Sequence, residues 1–246
     1  MFGAASAEPS FLLAQQNLLV ASLPQATLAR WAPEMDRVDL SLGQSLYEPG
    51  TFLTHAYFPV TALVSLLYVM VSGASTEIAV VGNDGILGVS LFMGGGSTPS
   101  RAVVQSAGTA LRLPVDALTQ EFARGGVAAN LLLRYTQALI TQMTQTAACN
   151  RHHAIDQQLC RWLLISLDRI PGDELVMTQE LISNMLGVRR EGVTEAASRL
   201  QRRGLIRYSR GRIRVLDRQG VEASACECYD VVRKEYKRLL PEFTAR

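Results

Sequence analysis

The chain has 246 residues and a formal net charge of +2, and nearly half of its residues (48%) are hydrophobic, which is typical of a globular protein with a sizeable core. No apolar run reaches the roughly 18 residues that a membrane-spanning helix requires. Residues 1–10 lack the basic start of a secretory signal, and residues 11–17 are too short and polar for an export core. We therefore expect a cytoplasmic protein with no membrane partner.

The N-terminal half of the chain predicts a β domain. Residues 10–35 look helical, with breaks at Pro24 and Pro33. Six short β-rich runs separated by turn residues follow, at 40–47, 52–59, 62–71, 76–81, 102–106 and 109–113. Many short strands at close spacing favour a closed or double-sheet fold such as a jelly roll. The predicted fold class is therefore α+β, with a β roll and an N-terminal helix in residues 1–123.

A long helix is predicted next, because residues 127–148 contain no proline or glycine and are apolar over more than one stripe. A helix with two apolar faces has two partners. One would be the β roll, and the other is most simply the same helix of a second copy, giving a two-fold homodimer. The alternative is one buried helix in a monomer. The helix residues predicted at the dimer seam are Leu131, Leu132, Tyr135, Leu139 and Met143.

The C-terminal part, residues 151–246, carries the most specific pattern. Residues 178–216 read as a short helix, a glycine turn, an arginine-rich helix and a β-hairpin. Thr178 suits an N-cap, and Gly187 can take the left-handed conformation that ends the first helix. This order of parts is how a winged helix-turn-helix enters a DNA major groove. Flanking helices are predicted over 153–170 and 217–240, and residues 124–150 would join the two domains.

The distribution of charge supports duplex DNA as the partner. Residues 188–218 contain ten arginines and three acidic residues. Up to Asn150 the chain has six basic and nine acidic residues, and beyond it eighteen basic and thirteen acidic. This asymmetry is the electrostatic footprint of phosphate binding. The residues predicted to meet phosphates are Thr178, Arg199, Arg202, Arg203, Arg207, Arg210, Arg212 and Arg214.

A β roll, a central helix and a C-terminal winged helix-turn-helix in this order resemble the Crp/Fnr family of bacterial transcription regulators, over about residues 40–216. Family members carry a pattern like Gly-x-Ser-Arg-Glu-x-Val, and Gly187-Val-Arg-Arg-Glu-Gly-Val193 stands here. The resemblance implies that Arg190 and Glu191 read bases. Arginine can donate two hydrogen bonds to guanine, and glutamate can accept one from cytosine. The full predicted base-reading set is Arg189, Arg190, Glu191 and Thr194. Arg189 replaces the usual serine, and Glu195 stands where cyclic-AMP-responsive members often have an arginine, so the operator should differ.

The β roll, which is the sensing domain in this family, resembles other members less closely. Cyclic-nucleotide binders hold the ribose with a Gly-Glu pair and the phosphate with an Arg-Ser/Thr-Ala run. Here Val89 follows Gly88 and cannot accept a hydroxyl proton, whereas Arg101 keeps the phosphate-contacting place. The candidate effector residues are Gly88, Val89, Ser90, Arg101 and Ala102. We expect an effector other than cyclic AMP, or none. A cyclic-nucleotide regulator and a metal- or haem-linked sensor are the alternatives, and RNA polymerase is a candidate partner.

Metal and enzyme chemistry find little support in the sequence. No cysteine precedes Cys149, so the N-terminal cluster of the iron–sulfur members is missing. Cys149 with His152 and His153 could share a metal, but Cys226 and Cys228 on one helix would point about 200° apart. We therefore predict no metal and no cofactor. His55 is the one histidine on the predicted strands, and no phosphate-loop, nucleophile-elbow or dinucleotide motif occurs, so an enzyme is not expected.

Overall fold

The computed structural model describes residues 14–244. The expectations for residues 1–13, which include the start of the N-terminal helix and the argument against an export signal, lie outside the described residues. Within the described range no helix combines the length and the apolar character needed to cross a bilayer.

The first domain is the predicted β roll, built from seven strands in two antiparallel sheets. One sheet has the order β1-β7-β3 and the other β2-β6-β4-β5. Their buried apolar side chains belong to one core. The strands are β1 Asp36–Leu40, β2 Ser45–Tyr47, β3 His55–Pro59, β4 Leu63–Val69, β5 Ser75–Val81, β6 Ser100–Ser106 and β7 Gly108–Pro114. The predicted run 40–47 is divided, because a turn at 41–44 separates β1 from β2.

Helices precede, interrupt and follow the roll. They are α1 Leu18–Ala21, α2 Gln25–Trp31, a 3-10 turn Ala32–Glu34, α3 Val89–Phe92, α4 Val115–Arg124 and α5 Gly126–His152. The prediction of one long helix is confirmed by α5, which starts one residue earlier and ends four residues later than the apolar pattern indicated.

The C-terminal domain has the helix-turn-helix order that the sequence predicts. Its elements are α6 Ile155–Leu167, β8 Glu174–Val176, α7 Gln179–Leu186, α8 Arg190–Arg202, β9 Ile206–Ser209, β10 Arg212–Val215, α9 Arg218–Ser224, α10 Glu227–Leu239 and a 3-10 turn Pro241–Thr244. The strands form a sheet of order β8-β10-β9. The α+β prediction is confirmed for the described chain.

The terminal helix predicted over 217–240 is in fact two helices. Ala225 and Cys226 are both extended, and Cys226 is the N-cap of α10. The break lets α9 pack on α6 while α10 packs on α5, which one straight helix could not do. Because Cys226 lies outside the helix, the 200° separation expected between it and Cys228 does not apply.

The central helix buries both of its apolar stripes within one chain, which corrects the predicted dimer seam. Leu131, Leu132, Tyr135 and Leu139 are buried, and Met143 is partly buried against the same core. The second partner of α5 is α10: the rings of Tyr135 and Tyr236 meet edge to face, 6.4 Å between centroids. On the roll side, the Gln142 amide donates to the Val80 carbonyl (3.1 Å). Sequence periodicity could not distinguish a partner helix in the same chain from one in another copy.

Candidate nucleic-acid interface

Local chemistry sets the geometry of the helix-turn-helix as predicted. The Thr178 hydroxyl accepts a hydrogen bond from the Leu181 amide (3.2 Å) and so caps α7. Gly187 ends α7 in the left-handed conformation (φ 65°, ψ 32°), and the next amide, that of Val188, donates to the Ser183 carbonyl (3.0 Å). These bonds fix the sharp turn between α7 and α8.

The recognition helix α8 presents the predicted base-reading residues to solvent. It buries Val193, Ala196, Ala197 and Leu200. Arg189, Arg190, Glu191 and Thr194 are all exposed. The Thr194 hydroxyl donates to Gln179 Oε1 (2.8 Å), which ties α8 to α7. In the described part of the chain no ion pair engages Arg190 or Glu191, so both remain available to a ligand.

The wing is the tight hairpin of β9 and β10, and its tip faces the recognition helix α8. Arg210 and Gly211 form its two-residue loop with positive φ angles of 50° and 73°, as in a type I′ turn. A groove of about 270 Å³ separates the wing from the helix-turn-helix. The groove residues are Thr178, Gln179, Arg190, Tyr208, Ser209, Arg210 and Gly211. Two arginines from separate elements, Arg190 and Arg210, therefore line one groove.

Three arginines predicted to meet phosphates are engaged by carboxylates of the chain itself. Arg199 makes two bonds to Asp156 (2.7 and 2.5 Å), and this hydrogen bonding raises the pKa of Arg199. Arg212 pairs with Glu174 (2.8 Å), which also pairs with Arg214 (3.2 Å). These three side chains are therefore less free to meet phosphates than the sequence predicts.

The remaining basic residues differ in their surroundings. Arg203 donates to the Ser224 hydroxyl (2.9 Å). Among residues 14–244, no carboxylate lies within 4.0 Å of Arg190, Arg202, Arg207 or Arg210. Sequence reasoning missed Asp156 and Glu174, because they lie 43 and 38 residues from their arginine partners and no local spacing reveals them.

The structure brings some of the candidate effector residues together at a cavity and leaves others apart from it. A cavity of about 190 Å³ lies between the roll and α5. Its lining includes Gly88, Val89 and Ser90, as predicted, but neither Arg101 nor Ala102. The Arg101 guanidinium instead donates to Glu48 (2.7 Å), and Ala102 is buried within β6. The other lining residues are Tyr47, Leu66, Ile86, Leu87, Met93, Thr98, Ser100, Thr136, Leu139, Ile140 and Met143.

The structure also gathers residues that the sequence left apart. The donor atoms of four side chains, which we call the cysteine–histidine cluster, lie within 4.8 Å of one another: Cys149, His153, Cys226 and Cys228. The exposed His152 is not among them. A hydrogen bond between the thiols raises the pKa of Cys149 and lowers that of Cys226. The sequence did not predict that these four donor atoms lie together, because the two cysteines at the start of α10 come from a distant part of the chain.

Two family models match the chain and together cover more than half of it. The Crp-like helix-turn-helix domain matches residues 157–224, and the cyclic nucleotide-binding domain matches residues 37–124. No curated protein is a significant match.

Solved structures share the fold at low sequence identity. FixK2 from Bradyrhizobium japonicum is 16% identical with a TM-score of 0.65, covering 78% of this chain and 98% of that one. A putative Crp/Fnr regulator from Eubacterium rectale is 18% identical with a TM-score of 0.65, covering 83% and 96%. The c-di-GMP-responsive regulator CLP from Xanthomonas campestris is 14% identical with a TM-score of 0.60, covering 78% and 99%. With both of its domains matched, the chain belongs to the Crp/Fnr family of transcription regulators.

Proposed function

We propose that this protein is a homodimeric regulator that reads a specific duplex through α8 and clamps its backbone with the wing. The observation that carries the proposal is the groove between the two elements, which Arg190 and Arg210 line from opposite sides. Neither arginine is neutralised by a carboxylate in the described chain. An arginine in the first turn of a recognition helix reaches base edges, whereas one at a wing tip meets phosphate.

Sequence preference would come from the first turn of α8. Arg190 and Glu191 are exposed there and offer complementary chemistry to a guanine and a cytosine. Thr194 is tied to Gln179 and would act mainly by holding α8 against α7. Arg202 and Arg207 supply further positive charge for phosphates, and Thr178 opens a helix whose free amides suit a phosphate oxygen.

A second copy would pack along the solvent side of α5. This face, which we call the outer stripe, has exposed residues at steps of three and four, the spacing of a coiled-coil seam. The residues of the outer stripe are Asn130, Leu133, Gln137, Ile140, Thr144, Ala147 and Arg151. Leu133 is 49% exposed and Ile140 52%, so the stripe offers two large apolar side chains that a second copy could cover. A two-fold dimer would place two recognition helices in successive major grooves, roughly 34 Å apart.

The cavity between the roll and α5 does not suit a cyclic nucleotide. None of its lining residues is a lysine, arginine, aspartate or glutamate, so no cation meets a phosphate. Its volume of about 190 Å³ is also below the roughly 300 Å³ at which ordinary ligand pockets begin. A small uncharged effector, or none, fits it better. CLP is described as responsive to c-di-GMP, an anionic ligand that this neutral cavity does not match.

The cavity nevertheless lies where an effector could act on the dimer. Ile140 both lines it and belongs to the outer stripe, and Thr136 and Leu139 line it from the same helix. A ligand that bound better to one packing of the stripe would shift the dimer toward that state. As a DNA-binding regulator the protein would act in the cytoplasm, with RNA polymerase as a neighbour at promoters.

The test is a selection of bound duplexes from a random pool, repeated with Arg190→Ala and with Arg212→Ala. The first change should cost about 1–3 kcal/mol on the selected site and relax one position of the consensus. Arg212, already paired with Glu174, is the matched control and should leave the consensus intact. Absence of any enriched duplex would refute the proposal and favour a basic module that binds protein.

A further inference from the structure

The cysteine–histidine cluster joins two distant parts of the chain in a largely buried site. Cys149 lies in the last turn of α5, and His153 is the C-cap of that helix. Cys226 and Cys228 open α10. All three cysteines are buried, and they form a small core of their own, apart from the main one.

The spacing of the donor atoms matches a tetrahedral metal site. Bonds of about 2.3 Å from a metal to sulfur place two sulfur ligands about 3.7 Å apart. The sulfurs of Cys149 and Cys226 are 3.5 Å apart, and the Cys228 sulfur is 3.6 Å from Nδ1 of His153. Small side-chain shifts would bring the four donors, all within 4.8 Å of one another, around one ion.

The histidine of the cluster is already oriented for coordination. Its Nδ1 points at the Cys228 sulfur, while its Nε2 lies 3.3 Å from a carboxylate oxygen of Glu227. A carboxylate on the far nitrogen of a ligating histidine fixes the tautomer and raises the basicity of the nitrogen that binds the metal. Both ring nitrogens of His153 therefore have the neighbours that a zinc-binding histidine has, a sulfur ligand on one side and a carboxylate on the other.

A buried arginine beside the cluster forms no ion pair within the described residues, although its charge also acts on the buried carboxyl of Glu77. Arg161 is 4% exposed, and its Nη1 donates to the Thr146 hydroxyl (3.1 Å). In residues 14–244 no carboxylate lies within 4.0 Å of it, and its Nε has no hydrogen-bond partner. Its charge acts on the Cys149 and Cys228 sulfurs. Three thiolates and a neutral imidazole around a divalent ion carry one net negative charge, which would balance Arg161.

We propose that the cysteine–histidine cluster binds one zinc ion with three thiolates and the Nδ1 atom of the imidazole. Only the deprotonated sulfur ligates, so binding releases to solvent whatever thiol protons the three cysteines still hold. With four protein ligands and no open position, the ion is structural. It locks the start of α10 to the end of α5, where the chain turns into the DNA-binding domain.

The first experiment measures metal in the full-length protein as purified from zinc-supplemented cells. We expect close to one zinc per chain, and we expect apoprotein to take up one Co²⁺ with the visible absorption of a tetrahedral thiolate site. Cys226→Ser should lose both signals. Cys160→Ser is the matched control, because Cys160 is equally buried in α6 but outside the cluster, and it should keep one zinc.

A second variant guards against simple misfolding of a cysteine mutant. Glu227 is 72% exposed, so Glu227→Gln should fold normally. Loss of the carboxylate behind the histidine should weaken zinc affinity about 10- to 100-fold in competition with a chelator. Zinc-free wild-type protein that also refuses Co²⁺, or equal zinc in Cys226→Ser and Cys160→Ser, would overturn the proposal. A native Cys149–Cys226 disulfide would overturn it too, and would make the cluster a redox element. None of these measurements involves DNA, so their outcome is independent of the proposed DNA-binding function.

Discussion

Asp84 and Arg169 form a buried ion pair, with Oδ2 and Nε 2.9 Å apart and side chains only 11% and 5% exposed. Asp84 follows β5, an edge strand of the four-stranded sheet, and Arg169 follows α6, so the pair joins the β roll to the DNA-binding domain. Arg169 also donates to the Gln142 side chain of α5 (3.2 Å) and lies over the Tyr236 ring of α10. One guanidinium thus contacts the β roll, α5 and α10.

Asp84→Asn should destabilise the protein strongly, because it leaves the Arg169 charge buried without its partner. We expect the free energy of unfolding to fall by about 3–5 kcal/mol in denaturant titrations. Glu235→Gln, which removes the exposed Glu235–Arg238 pair on α10, is the control and should cost less than about 1 kcal/mol. Equal losses of unfolding free energy in the two variants would show that the buried pair stabilises the protein no more than the Glu235–Arg238 pair does.

Arg199→Ala and Arg202→Ala should separate an intramolecular arginine from one that meets DNA. Arg199 is bound by Asp156, so its loss should leave the salt dependence of duplex binding nearly unchanged. Arg202 has no such partner in the described chain, and its loss should weaken binding to all duplexes and flatten the salt slope by about 1. Affinity measured over a series of salt concentrations decides between them, and a flatter slope for Arg199→Ala alone would reverse the assignment.

Ile140→Glu should prevent the proposed dimerisation while the subunit stays folded, since the side chain is half exposed on the outer stripe. We expect half the mass in sedimentation and an unchanged far-ultraviolet spectrum. Leu139→Glu, at the position predicted from the sequence to lie at the seam, should instead unfold the subunit, because Leu139 is buried inside it. A folded dimer carrying Ile140→Glu would place the interface on another face.

Glu77→Gln should change how stability depends on pH. Burial raises the pKa of Glu77 from 4.5 to about 7, against the opposing effects of the Ser65 hydroxyl, Arg161, Trp162 and Arg169. The folded protein then keeps a proton that the unfolded chain has released. Stability should therefore fall as the pH rises from about 4.5 to about 7, by up to roughly 3 kcal/mol.

In Glu77→Gln this loss should disappear, and the variant should be more stable than the wild type above pH 7. Denaturant melts of both proteins at closely spaced pH values measure the difference between their slopes. Burial also raises the pKa of Asp84, but that contribution is shared by both proteins and cancels. Parallel stability curves would mean that Glu77 is not protonated in the folded state.

The sequence by itself determined the features that depend on near neighbours. Thr178 caps α7 and Gly187 ends it in the left-handed conformation, as their chemistry requires, and the matched Gly187–Val193 run marks the recognition helix. Alternating strands and their turns were enough to predict the β roll. The whole family assignment therefore followed from local patterns and their order.

Only the tertiary structure decided which side chains remain free and which faces remain open. Asp156 reaches Arg199 across 43 residues, and α10 covers the stripe of α5 that periodicity had suggested for a second copy. Cys149 meets Cys226 across 77 residues, because a break before α10 turns that cysteine inward. The local sequence shows that a residue is charged, and hydrophobic spacing predicts that it is buried. Neither carries information about which distant segment neutralises the charge or buries the side chain.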